Sequence, residues 1–207
     1  MTLLQLNASI YGEAGQSTRL ANDFVSNWRL EHPDARVIVR DLARDPVPHL
    51  TAERFQAFIT APAQRNAAQR EIVAYSDSLI DELRQAEIIV LGLPMYNYDV
   101  PSTLKAYFDH IARAGVTFRY TQNGPVGLLT GKKMYVLATR GGYYAGTPDD
   151  TQTAYVRQFF RLLGIDAVEF VYAEGLAIGD AAQKSALSNA RRAIERLHRP
   201  DREALAA

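Results

Sequence analysis

The chain of 207 residues has no cysteine. That excludes disulfides, thiol redox chemistry, cysteine nucleophiles and cysteine metal sites. It also lacks an excess of charge: 23 Lys and Arg balance 23 Asp and Glu. A nucleic-acid binder shows a basic excess or a basic stripe, and neither is evident, so no nucleic-acid partner is expected. No apolar run approaches the roughly 18 residues that mark a membrane span. Met1 to Asn7 carry no positive leader and no long apolar core, so no signal peptide is expected and the cytoplasm is the expected location. The four histidines, His32, His49, His110 and His198, lack metal-ligand spacing, and no metal site is expected. His110 falls on an expected helix and reads as a partly buried structural residue.

Several catalytic signatures are missing too. No G-x-G-x-x-G follows the first strand, which argues against a dinucleotide site, and there is no G-x-S-x-G nucleophile elbow. Gly127 to Lys133 imitates a phosphate-binding loop but has one intervening residue too few, lacks the final Ser or Thr, and precedes a strand. Asn7 and Leu93-Pro94 stand at strand ends where a phosphoacceptor domain places an acidic cluster. The carboxylates within 81–87 read as a solvated helix face.

What is present is alternation. Short apolar runs at 3–6, 36–40, 87–93, 133–138 and 167–171 read as strands. Between them lie helical patterns: one after Ser17, taken as its N-cap, with Leu20, Phe24 and Trp28 on one face, then 51–60, 66–86, 101–113, 151–163 and 180–198. Residues 116–131 read as an irregular insertion, and about 200–207 as a frayed tail. Strands alternating with helices predict an α/β fold: one flavodoxin-like domain over 1–207, a doubly wound five-stranded parallel sheet with helices on both faces.

In such a sheet the loops after the first, third and fourth strands meet at one end. The first loop offers Ser9, Gly15, Gln16, Ser17 and Thr18 just before a helix, a place for a phosphate; simple capping by Ser17 is the alternative. The second, Met95-Tyr96-Asn97-Tyr98 after Pro94, offers two rings and an amide to a flat, heteroatom-rich ligand; tyrosines that merely cover the sheet edge are the alternative. The third, Thr139-Arg140-Gly141-Gly142, offers two adjacent glycine N–H groups to an anionic ring edge. A tight turn is its alternative, and Arg140 either assists electrostatically or is a solvated surface residue. A phosphate cradle, a ring platform and a donor pair are together the needs of flavin mononucleotide (FMN).

These segments, with Ala114-Gly115-Val116-Thr117-Phe118-Arg119-Tyr120, Asn123-Gly124-Pro125 and Ala173-Glu174-Gly175, resemble the FMN-dependent NADH:quinone oxidoreductases, also called azoreductases. The resemblance covers nearly the whole chain. It implies a homodimer with one FMN per subunit and NADH or NADPH as electron donor. It implies ping-pong, two-electron reduction of quinones and reduction of azo compounds. Ser9, Gln16 and Ser17 would hold the phosphate, Met95 to Tyr98 would line the isoalloxazine, and Thr139 to Gly142 would contact its pyrimidine end. Phe118 and Tyr120 would shape the substrate pocket. The chain departs from the commonest family pattern at Gly15 and Thr139, where Ser is frequent, at Tyr98, where Phe is frequent, and across Tyr143 to Gly146. At Gly15 only the backbone N–H remains as a donor. An electron carrier of the same fold, docking protein partners, and an NAD(P)H-dependent flavin or metal-ion reductase are the rival readings. Carriers often present an acidic docking face, which a neutral chain lacks.

Overall fold

Strict alternation along the strands builds both faces of one sheet. The computed structural model describes residues 1–198. β1 (Thr2–Asn7), β2 (Arg36–Asp41), β3 (Ile88–Pro94), β6 (Lys133–Thr139) and β7 (Ala167–Ala173) are all parallel, in the order β2-β1-β3-β6-β7. Ile89, Leu91 and Leu93 of β3 turn to one face, with Met134 and Val136 of β6. Val90 of β3 turns to the other, with Tyr135 and Leu137 of β6. Side chains two residues apart share a face, so each run feeds two cores.

The first core is closed by α3 (Ala67–Gln85), α4 (Ser102–Ile111) and α5 (Thr151–Leu163), through Leu79, Leu83, Leu104, Phe108, Val156 and Phe160. Phe108 stacks on Phe159 with centroids 4.0 Å apart, and its truncation to Ala would cost about 3–5 kcal/mol. The second core is closed by α1 (Gln16–Glu31) and α6 (Asp180–His198), through Leu20, Phe24, Trp28, Ala190 and Ile194. A short α2 (Ala52–Ile59), capped by Thr51, buries only Ala57. α3 starts with a reciprocal capping box between Asn66 and Gln69. The expected doubly wound sheet is therefore present, and the expected tail lies outside the described residues.

Four local expectations need correction. Residues 116–131 are not irregular: β4 (Phe118–Thr121) and β5 (Gly124–Gly127) form an antiparallel hairpin. The hairpin base lies so close to the α5 terminus that a Cβ at Gly127 would sit 2.0 Å from the Gly164 nitrogen. Ser17 is not an N-cap: Gly15 holds that position and α1 begins at Gln16. The carboxylates of 81–87 are not uniformly solvated, since Glu82 takes a two-pronged ion pair from Arg40 and both side chains are only about a fifth exposed. That partner raises the Arg40 pKa against the opposing effect of burial. His110 is more buried than expected, with no exposure; its Nδ1 contacts the Ala106 carbonyl and its Nε2 has no partner.

Candidate functional site

The start of α1 is chemically incomplete. No side chain caps it, and the first amides of any helix lack an intrahelical acceptor. The Ser17 and Thr18 hydroxyls are buried without a hydrogen-bond partner. α1 is drawn against the sheet at Gly92, where a Cβ would lie 2.9 Å from the Ser17 carbonyl oxygen. Ser9 is buried beside this helix start, and its Oγ accepts the Tyr11 N–H at 3.2 Å. A Cβ on Gly15 would sit 2.1 Å from that Oγ, so Ser9 occupies the space a Gly15 side chain would need. The Gly15 N–H is not free, contrary to expectation: it donates to the Gly12 carbonyl within a short 3-10 turn, Gly12–Ala14.

The ring platform is a tight hairpin turn. The N–H of Tyr96 donates to the Asp99 carbonyl and that of Asp99 returns to Tyr96, both at 3.1 Å. Asn97 and Tyr98 between them have φ of 51° and 65°. Two left-handed residues in a two-residue loop fit a type I′ turn, in which Gly favours the second position. Tyr98 accepts strain of about 1–3 kcal/mol to stand there, so it is the contacts around it that hold the turn. Tyr98 is exposed and meets the Tyr144 ring edge-on at 5.4 Å. Tyr96 reaches Ser9 Oγ and the Ile10 N–H at 3.4 Å, linking this turn to the first loop.

The third loop is held from beneath. Arg140 is not a solvated surface residue, and that expectation is corrected. Its side chain is fully buried, paired with Asp150 at 2.8 Å and Glu174 at 3.2 Å, donating to Thr153 Oγ1 at 3.0 Å and lying over the Tyr172 ring. Its N–H donates to the Ala173 carbonyl and its own carbonyl accepts from Leu176. Burial works to raise the Asp150 pKa, but hydrogen bonds from Arg140 and from the Thr153 N–H and hydroxyl hold it below the ordinary carboxylate value. Glu174 Oε1 also accepts the Tyr144 and Ala145 N–H groups at 2.9 and 2.8 Å. Thr139 is buried and its carbonyl accepts the Met95 N–H at 3.0 Å, which joins the second and third loops. Among the described residues nothing accepts the Gly141 or Gly142 N–H.

The three expected loops thus meet: Ser9 touches Tyr96, Met95 touches Thr139, and Tyr98 touches Tyr144. The pocket pair divides. Tyr120 is 74% exposed on the hairpin, whereas Phe118 is buried in the first core and supports the Tyr120 ring edge-on at 5.4 Å. Asp150, Thr151, Gln152 and Thr153 escaped the sequence reading, although an Asp before a helical pattern is a legible cap signal. Glu174 was part of a recognised segment, but its carboxylate role was not.

A family model described as the flavodoxin-like fold matches residues 1–197. An FMN-dependent NADH:quinone oxidoreductase of Cellvibrio japonicus is 52% identical over 194 residues, covering 94% of this chain and 96% of that one. A namesake from Alcanivorax borkumensis is 52% identical over 191 residues, covering 92% and 96%. The chain belongs to the flavodoxin-like family and, within it, to the FMN-dependent NADH:quinone oxidoreductases. Among solved structures, an azoreductase from Bacillus anthracis superimposes with a TM-score of 0.87 at 25% identity, covering 96% of this chain and 98% of that one. An FMN-dependent NADH-azoreductase of that species, solved with FMN, gives a TM-score of 0.84 at 25% identity, covering 96% and 99%.

Proposed function

We propose that this chain binds FMN at the three-loop site and uses NADH or NADPH to reduce quinones, and azo compounds reductively. Its relatives' names support FMN, NADH and quinone, and the names of its structural neighbours support azo reduction. The observation that carries the reading is the uncapped start of α1, with the buried hydroxyls of Ser17 and Thr18 unpartnered. An isolated buried hydroxyl is costly, and an oxyanion at a helix N-terminus offsets that cost. The FMN phosphate fits this position, with Ser9, Gln16 and Ser17 around it. Met95 to Tyr98 would line the isoalloxazine, and the Gly141 and Gly142 N–H groups would face its pyrimidine end. Thr139 and Arg140 would act by fixing those glycines, because their own polar groups are largely engaged.

When bound, FMN supplies the two-electron chemistry between nicotinamide and acceptor. The chain's own residues would hold flat partners in register. Tyr120, carried on the hairpin and braced by Phe118, would be a polar group of the substrate pocket. One pocket for both flat substrates implies that they occupy it in turn. Steady-state double-reciprocal plots of the FMN-loaded protein, taken at several quinone concentrations, should then be parallel. Intersecting lines would mean a ternary complex and would overturn the shared pocket.

The working unit is a homodimer over a single folded unit, acting in the cytoplasm. Exposed Tyr120, Val126 and Leu128 on and after the hairpin, with exposed Tyr98 and Tyr143, support a partner covering these apolar side chains. Light scattering of the FMN-loaded protein tests this, and a fully active monomer would refute it. Among the described residues no helix is long and apolar enough to cross a membrane.

A further inference from the structure

The first turn of α5 carries four consecutive polar side chains, each directed to a wall of the site. Asp150 pairs with Arg140 beneath the third loop. The Thr151 hydroxyl donates to the Tyr98 carbonyl inside the strained turn. The Gln152 amide nitrogen donates to the Pro94 carbonyl at 3.0 Å and to the Asp99 carbonyl at 3.2 Å. Thr153 accepts from Arg140 and contacts the Tyr172 hydroxyl at 3.0 Å. Thr151 and Gln152 thus grip the ring platform while Asp150 and Thr153 grip the support of the glycine donors.

Gln152 is the informative member. It is fully buried, and its nitrogen bridges the carbonyls on either side of the Tyr96–Asp99 turn. Its own Oε1 is left buried without a partner. Left-handed Asn97 and Tyr98 need outside contacts to persist. Gln152 and Thr151 provide those contacts from a rigid helix, and a helix start cannot move one wall without moving the other.

We propose that Asp150 to Thr153 form a positioning element that sets the spacing between the turn at 96–99 and the loop at 139–145, with Gln152 as its central residue. This rests on the flavin reading above. None of the four is a catalytic residue; each acts through a backbone segment or through Arg140.

The test uses Gln152→Met, which keeps the volume and removes the donor, and Thr151→Val, which removes only a hydroxyl. In the apoproteins, hydrogen exchange at the Tyr96 and Asp99 amides should quicken by tenfold or more, beyond what the drop in the urea midpoint of the same variant accounts for. FMN affinity, carried by the phosphate side, should change less than about threefold. The rate at which NADH bleaches the bound flavin should fall about 10–100-fold in Gln152→Met, with a smaller change in the concentration of NADH for half-maximal rate. Thr151→Val should show the same pattern more weakly, and it decides the matter if Gln152→Met does not fold. Unchanged amide exchange and bleaching in a folded variant would overturn the positioning role. A wild-type protein that binds no FMN would instead overturn the flavin reading, while the apoprotein exchange result would still report on the turn.

Discussion

The two ends of the candidate site are built on opposite plans. At the start of α1 the protein leaves donors unused: no cap, and buried Ser17 and Thr18 hydroxyls without partners. At the turn and the third loop the protein ties the backbone down itself, through Gln152, Thr151, Arg140 and Glu174, and leaves the Gly141 and Gly142 N–H groups free of any acceptor among the described residues. The contrast teaches a division of labour. On the proposed reading, the first region would be completed by its ligand and would supply affinity. The second is completed by the protein and supplies geometry before any ligand arrives.

The sharpest way to break the second plan is Arg140→Ala. It strands Asp150 and Glu174 in the interior, and losing one partner of a buried ion pair costs about 3–5 kcal/mol. Urea unfolding of the apoprotein should read that loss, and Arg140→Lys should not restore it, because an ammonium cannot span two carboxylates and a hydroxyl. A loss below about 1 kcal/mol, the value of an exposed pair, would show that the network is not what holds the loop.

The first plan breaks at Ser17. Ser17→Asp puts a carboxylate beside the phosphate, and like charges at such distance cost several kcal/mol, so FMN affinity should fall about 100-fold or more. Ser17 is fully buried, so the urea midpoint of the apoprotein reads the cost of burying the carboxylate separately from the loss of FMN affinity. Fluorescence titration showing equal affinity in both proteins would move the phosphate elsewhere.

A smaller effect sharpens the boundary between the plans. Gly15→Ala should cost about 1–3 kcal/mol by overpacking against Ser9. In a Ser9→Gly background the same change should cost clearly less, and an equal cost in both backgrounds would exclude that clash as the cause. The smallest expected effect lies away from the site. Burial lowers the His110 pKa from its ordinary 6.5, with Arg54 adding to it and the Ala106 carbonyl and Asp109 opposing. The unfolded chain then binds the proton more tightly, so this group's contribution is full above pH 6.5 and is lost as pH falls toward the lower folded value. His110→Leu should flatten that part of the urea-midpoint profile.

The strands, the helices and the meeting of three loops were legible because apolar runs and capping residues are local signals. The Phe118–Gly127 hairpin was not, since each strand has only four residues and the second is made of Gly, Pro and Val, which leaves too little alternation. Ser17 passed for a cap because serine favours caps, whereas the cap position is held by Gly15, where Ser9 leaves no room for a side chain. Arg140 passed for a surface or ligand-facing residue because the partners that bury it, Asp150 and Glu174, are 10 and 34 residues away. The missed chemistry is the long-range kind that only the fold brings together.

Amide hydrogen exchange of the wild-type apoprotein, with and without FMN, tests the division most directly. The amides of Gln16, Ser17 and Thr18 should exchange freely without FMN and become protected with it. Those of Met95, Tyr96, Asp99, Tyr144 and Ala145, already bonded within the protein, should be protected in both states. Protection appearing at the second set only when FMN is added, or already present at the first set without it, would contradict the account.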